Sequence, residues 1–384
     1  MALDLDLSDD QRIVQSAARA FLEKESSFPQ TRAWFGDVLG FDREVWARAA
    51  ALGWVAPFVP EELGGGSVSG GLVADASIVV EEVGRAVFPG PLIPTSVVAD
   101  AIARSGSAAQ RTSYLPGLVD GSVIGTWAFA ERSGRWDADG VQLVAAERGD
   151  GYVLSGTKSF VQDAGAADVL LVTARAADGL IQFVVPSDVP GVTVTPLVSL
   201  DLARRFAEVE FADVDVAAEA VLGEAGRATD LAVGRQLAVA TALVCAETVG
   251  ALDRCYEMTL DYARERKAFG RPIGSFQALK HRFADMLLWL EGAKAVAVAA
   301  AHSVDQDTGR AEMVGIAKSY ISDRGPMIVR DCLQIHGGIG YTWEYDLHLL
   351  LRRVESNAAL YGGVDEHRDR LAVVLGVDTE PVSA

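Results

Sequence analysis

"YARERKAFGRPIGSFQALKHRFADM", residues 262–286, decides how the chain is read. Arg264, Arg266 and Lys267 close one long helical pattern, Gly270, Pro272 and Gly274 make a turn, and a second helix opens at Ser275. The helix dipole alone favours cations at a C-terminus. A basic cluster beside a turn, with Phe269 and Gln277 close by, is also a seat for an anionic cofactor. Behind the turn the helical pattern reaches back to about residue 230 without a proline. Ahead of it, "SFQALKHRFADMLLWLEGAKAVAVAAAHSVD" and "AEMVGIAKSYISDRGPMIVRDCLQIHGG" continue as long, Ala-rich helices, which predicts a helical bundle over 225–384.

The rest of the chain divides around that bundle. In the first third, "SDDQRIVQSAARAFLEKES" starts at Ser8 as an N-cap and places Ile13, Val14, Ala17, Ala20, Phe21 and Leu22 at helical spacing. "DREVWARAAALGWV" and "SIVVEEVGRAV" read the same way, and "AIARSGSAAQRTSYLPGLVDGSV" reads as short helices broken by Gly and Pro. This makes 1–122 an α-helical domain. Between 123 and 224 the character changes: "VQLVAAERGDGYVLSGTKSFV", "VLLVTARA", "IQFVVPSD", "GVTVTPL" and "RRFAEVEFADVDV" are short, rich in Val, Phe and Thr, and bounded by Gly, Asp and Pro. That pattern predicts an antiparallel β-domain. The fold class is α+β, in the order α, β, α.

The 384 residues are half hydrophobic by type, ample for two or three domains. A net charge of −19 excludes a nucleic-acid binder with a basic face and attachment to anionic lipid. Cys245, Cys255 and Cys332 show no CxxC spacing, which fits a reducing, cytoplasmic setting. The five histidines are scattered, and no metal site is expected. "MALDLDLSDDQR" lacks the basic and apolar regions of a signal peptide. Two phosphate-loop lookalikes carry little: in "GYVLSGTKS" Thr157 separates Gly156 from Lys158 inside a strand pattern, and no strand precedes "HGGIGY".

"LAVATALVCAETVGAL", residues 237–252, holds a single charge, Glu247. It reads as too short for a membrane span. Burying an unpaired carboxylate is costly, so such a group finds a partner or has its pKa raised. At helical spacing its neighbours are Leu243, Val244, Gly250 and Ala251, none of them a cation, and Arg254 lies two turns on. Gly250 reads as open space for a ligand. The alternative is a pair with an arginine from another helix, or a place at a subunit interface.

The opening stretch resembles the signature of the acyl-CoA dehydrogenase family, as does "LQIHGGIGYTWEYDLHLLLRR". "ALGWVAPFVPEELGGGSVS" and "EEVGRAVFPGPL" are similar to the family's N-terminal domain, and "VLSGTKSFVQDAGAADVLLVTAR" to its central β-domain. The resemblance runs through nearly the whole chain. It implies removal of two hydrogens from an acyl-CoA thioester, the α proton to a carboxylate and the β hydride to FAD. It also implies an electron-transferring flavoprotein as acceptor and a tetramer, either a homotetramer or a heterotetramer with a related subunit. The family's usual base stands in a Tyr-Glu-Gly sequence. Here "LYGGVDEHRDRL" keeps Tyr361 but has Gly362 in the glutamate's place. The resemblance therefore points to Glu247 as the base, in the "AE..G" setting of branches acting on steroid side-chain thioesters, with Asp365 and Glu366 in reserve.

By position, the resemblance implies FAD contacts from Arg266, Phe269 and Gln277 to a neighbouring subunit's cofactor. Gln334, Gly337 and Gly338 would hold its ADP part, and Phe160 and Gln162 would lie beside the isoalloxazine ring. The family's Thr-Glu-Pro flavin loop is replaced by "FAERSGRW": Glu131 matches, but Ala130 has no hydroxyl, leaving backbone groups of Phe129 and Ala130 to serve. Three functions remain open: a dehydrogenase acting on a branched or polycyclic acyl group, an oxidase on the same fold, and a non-catalytic partner subunit that binds FAD or acyl-CoA.

Overall fold

A computed structural model describes residues 6–377. Its helices are α1 (Asp9–Glu25), α2 (Phe28–Ala33), α3 (Arg43–Ala50), α4 (Leu72–Ala86), α5 (Leu92–Ser105), α6 (Ala108–Asp120), α7 (Arg227–Glu265), α8 (Gln277–Gln306), α9 (Arg310–His336), α10 (Leu347–Ala359) and α11 (Val364–Val374). The strands are β1 (Gly125–Ala128), β2 (Val144–Arg148), β3 (Gly151–Gln162), β4 (Val169–Ala176), β5 (Gly179–Pro186), β6 (Val192–Leu197), β7 (Phe206–Val216) and β8 (Val221–Leu222), with β9 (Lys267–Ala268) and β10 (Arg271–Pro272) as a separate short pair after α7. By contacts the chain forms two compact units. One gathers Met1–Phe28, Ser77–Phe88 and Thr241–Ala384, the other Pro29–Ala76 and Pro89–Ala240. Three of the unit boundaries cut helices α2, α4 and α7, and only the one after Phe88 falls in a link between helices.

In the sheet-bearing unit the strand order is β6-β7-β3-β2-β4-β5-β8, with β1 beside β4. The pairing is mostly antiparallel as expected, but β1 runs parallel to β4. The hairpin of β2 and β3 intervenes between them in sequence, and this long connection is what a parallel neighbour requires. The hairpin turns tightly, with Arg148 opposite Gly151 and Gly149 at φ +65°. The register of β3 against β7 slips between Lys158 and Val161. That bulge puts Phe160 at φ +57°, a conformation a non-glycine residue takes only under constraint.

Two helical readings need adjustment. Ser8 caps α1 with a complete capping box to Gln11, yet only Ala18 and Leu22 are fully buried and Ile13 is 67% exposed. The expected break at Gly106 is present between α5 and α6, but α6 runs through Pro116, where a second break was expected. One lost hydrogen bond does not stop a helix whose ends are fixed, here by a Ser107–Gln110 capping box and by Gly121 in the left-handed conformation.

The helical unit is organised on α7, which is 39 residues long. It passes a length and hydropathy test for a membrane span, but 89% of the tested window is buried inside the protein, as in a core helix. Its crossing with α4 is a backbone contact. A Cβ added at Gly84 would lie 1.9 Å from the Glu247 carbonyl oxygen, and one at Gly250 would lie 1.8 Å from that of Glu81. Ion pairs flank the crossing: Arg19 holds Glu82 through two bonds of 2.8 and 2.7 Å, and Arg85 binds both Asp253 and Glu257.

Candidate functional site

The lone carboxylate of α7 has a partner. Arg353 on α10 donates to Oε1 of Glu247 at 2.7 Å, and the Asn357 side-chain amide donates to Oε2 at 2.9 Å. Asn357 also reaches Thr248 Oγ1 at 3.1 Å, and its carbonyl accepts from the buried Lys318 ammonium. Glu247, Arg353 and Asn357 are 2%, 1% and 1% exposed. The expectation of a partnerless Glu247 beside open space is thereby corrected. Both oxygens are engaged, and the volume beside Gly250 is filled by the backbone of α4. The arginine is 106 positions away in sequence, so helical spacing could not find it. Arg254, the nearest same-face cation, lies 3.7 Å from Glu257 instead.

The tail loop is built around its glycines. Tyr361 and Gly362 have φ of +59° and +104°. A Cβ at position 362 would meet His367 Nε2 at 3.0 Å and Glu366 Oε2 at 3.2 Å. His367 shares a hydrogen bond with the Tyr361 carbonyl (3.0 Å), and Glu366 accepts from the Gly363 N–H at 2.7 Å, capping α11. Burial, followed by the charges of Arg370 and Lys318, depresses His367 to about 4 against the opposing bond to Tyr361. The reserve carboxylates are thus a helix cap, Glu366, and an exposed surface group, Asp365.

The residues expected at FAD fall into two groups, each within its own unit. In the helical unit, Tyr262 stacks on His336 with ring centres 4.3 Å apart, which brings the end of α7 against the end of α9. His336 is fixed by contacts to the Cys332 carbonyl at 2.8 Å and the Tyr345 hydroxyl at 2.9 Å. Arg266 and Phe269 follow Tyr262, and both are exposed, Phe269 at 96% with φ +53°. Gln277 is exposed at the first position of α8. Gln334 is exposed in the last turn of α9, and Gly337 and Gly338 follow with nothing within 4 Å of an added Cβ. The Gly337 N–H caps α9 by donating to the Leu333 and Gln334 carbonyls, so an anion here would meet the exposed Arg266 and the open turn at Gly338.

In the sheet unit, Phe129 and Ala130 are buried between β1 and the residues that follow, with Phe129 4.7 Å from Trp127 and 6.1 Å from Trp136 by ring centres. Phe160 exposes 41% of its surface from the strained bulge, and the buried Gln162 side chain donates to Asp163 at 3.0 Å. One group that sequence reasoning passed over sits among them: Lys158, fully buried, reaches the Phe129 carbonyl at 2.9 Å and Glu131 at 2.8 Å. Its signal in the sequence is a lysine two residues before Phe160, inside the stretch that resembles a phosphate loop.

The geometry can be set beside known proteins. Residues 8–122, 126–214 and 225–375 match the N-terminal, middle and C-terminal domains of acyl-CoA dehydrogenases.

The chain belongs to the acyl-CoA dehydrogenase family.

Acyl-CoA dehydrogenases are FAD-dependent oxidoreductases acting on CH–CH groups, with this three-part helix, sheet and helix fold. The chain is 32% identical over 372 residues to the acyl-CoA dehydrogenase IpdE2 of Mycolicibacterium smegmatis, covering 95% of this chain and 98% of that one. It resembles the structure of butyryl-CoA dehydrogenase from Megasphaera elsdenii with a TM-score of 0.90 and 27% identity, covering 97% and 100% of the two chains. A variant of the Tcur3481–Tcur3483 steroid acyl-CoA dehydrogenase is similar at a TM-score of 0.86 and 29% identity, covering 96% and 98%. The residues present fit FAD within each unit: in the sheet unit, a buried Ala130 N–H with no acceptor among the described residues and an exposed strained Phe160; in the helical unit, an exposed Arg266 and an open glycine turn at Gly337 and Gly338.

Proposed function

We propose that this chain binds FAD and an acyl-CoA and takes part in α,β-dehydrogenation of the thioester, the acyl group being branched or polycyclic. The observation that carries the cofactor part is the retained cradle. The glycine turn is buttressed by Tyr262 and His336, and the flavin loop keeps Glu131 and Lys158 although it has lost its hydroxyl. FAD, when bound, accepts the hydride from the β carbon. In the helical unit, Arg266 and the backbone of the open turn at Gly338 would hold the phosphates of a neighbouring subunit's FAD; in the sheet unit, Ala130 would offer an N–H to the ring system of this chain's own. An electron-transferring flavoprotein is the proposed electron acceptor, a tetramer the proposed assembly and the cytoplasm the proposed setting. The substrate class rests on similarity to a steroid acyl-CoA dehydrogenase and on the small buried Ala240 and Ala246 of α7.

A specific observation favours a second reading, in which the chain is the partner subunit of a mixed tetramer and another chain supplies the proton acceptor. Position 362 has no side chain, and Glu247 is committed to Arg353 and Asn357. Removal of a thioester α proton requires a base in reach of it.

Purified chain, alone, should be yellow. Anaerobic addition of straight-chain and steroid-side-chain CoA thioesters then separates the readings. Bleaching by the steroid thioesters supports catalysis by this chain, whereas bleaching only after a related subunit is added supports the partner reading. Preference for straight chains removes the substrate proposal, and a colourless protein removes the cofactor proposal. Glu247→Gln decides the base. A folded, yellow variant that no longer bleaches, where the native chain does, would return Glu247 to that role.

A further inference from the structure

Lys158 spans the residue that should face the flavin. Its ammonium donates to the Phe129 carbonyl and to Oε1 of Glu131, the neighbours of Ala130 on either side. The same Oε1 accepts the N–H groups of Gln142 and Leu143 at 2.7 and 2.8 Å, which ties the loop to the residues leading into β2. Ser159, next to the lysine, donates its N–H to the Ala130 carbonyl at 2.8 Å. The carbonyls of Phe129 and Ala130 are thus both taken, whereas the Ala130 N–H makes no hydrogen bond among the described residues although Ala130 is 2% exposed. A buried unpaired N–H is costly and marks a place that a ligand completes. The carbonyl of Phe129 and the N–H of Ala130 belong to one peptide group. A cation on the oxygen polarises that amide and strengthens the donor on its far side.

Building on the FAD reading above, we propose that Lys158 is a positioning residue for the flavin: through the Phe129–Ala130 peptide it aims and strengthens one N–H donor, in place of the hydroxyl that Ala130 lacks. Reduced flavin carries more negative charge than oxidised flavin, so a preorganised donor favours the reduced form. Two charged groups act on the ammonium, Glu131 favouring its protonated form and Arg175 opposing it. Burial is the largest influence and brings the amine down to about 8. The donor is therefore at full strength near pH 6 and weakens as pH rises through about 8.

The test is the equilibrium ratio of reduced to oxidised flavin in the full-length FAD-loaded protein, measured against a reference dye from pH 6 to 9. Lys158→Met should lower that ratio about tenfold near pH 6, a smaller loss than deletion of a direct donor. The gap to the native protein should close above pH 8. A Lys158→Met protein with native FAD content and a native ratio at every pH overturns the proposal. Should that variant fail to fold or to hold FAD, Glu131→Gln decides. Without the carboxylate charge the amine deprotonates at lower pH, so the ratio should fall below native first between pH 6 and 8. A Glu131→Gln profile superimposable on the native one overturns the proposal as well. A colourless native chain defeats the cofactor reading and this inference together. A yellow chain indifferent to both substitutions defeats the inference alone.

Discussion

Glu247 shows how far a single residue can be read. Its cost in an apolar helix was evident from sequence, and the demand for a partner followed; which partner did not. Removing one member of a buried ion pair leaves the other charge in a dry place, at a cost of about 3–5 kcal/mol. Glu247→Gln keeps an acceptor for Asn357 but takes the charge from Arg353, so a loss near about 3 kcal/mol in denaturant unfolding is expected. Arg353→Met should cost as much, and the double variant less than the sum of the two. His367 gives a pH signature. Its folded value of about 4 lies below the ordinary 6.5, so the neutral form is the one the fold prefers. The stability it contributes is present above about 6.5 and is lost as pH falls toward 4, up to about 3 kcal/mol. Thermal melts between pH 7 and 4 should show that decline, and His367→Gln should flatten it.

Among elements, the crossing of α4 and α7 has the sharpest consequence. The glycine of "AE..G" was read as space for a ligand, and it is instead the point where two backbones touch. Alanine at Gly250 raises helix propensity by about 1 kcal/mol but drives a methyl group into the Glu81 carbonyl. A net loss of about 2 kcal/mol or more is expected, seen as a lower melting temperature. Gly84→Ala should behave alike, since its methyl would meet the Glu247 carbonyl. Long helices were legible because their apolar periodicity is local, and α9 even runs through Pro326 as read. The bulge at Phe160 was not legible. It depends on how β3 is registered against β7, roughly 50 residues further along the chain.

At the level of the whole chain, the helical unit draws on three separated segments. A fragment beginning at Thr241 lacks Ser77–Phe88, and with it the backbone that fills the groove at Gly250 and the Arg85 that binds Asp253 and Glu257. Expressed alone, 241–384 should form aggregates or an expanded helical state, by size exclusion and near-UV circular dichroism. A monodisperse, cooperatively melting fragment would contradict this.

The sequence by itself determined the succession of helices and strands, the family, and the absence of a carboxylate at position 362, because each of these is written in local periodicity or in contiguous motifs. Only the tertiary structure decided that Glu247 is held by Arg353, that Gly250 is a helix contact, and that Lys158 braces the turn from Phe129 to Glu131. Those facts depend on segments far apart in the chain meeting in space. Burial then turns such a meeting into an energetic commitment, because a charge withdrawn from water must take whichever partner the fold brings within reach.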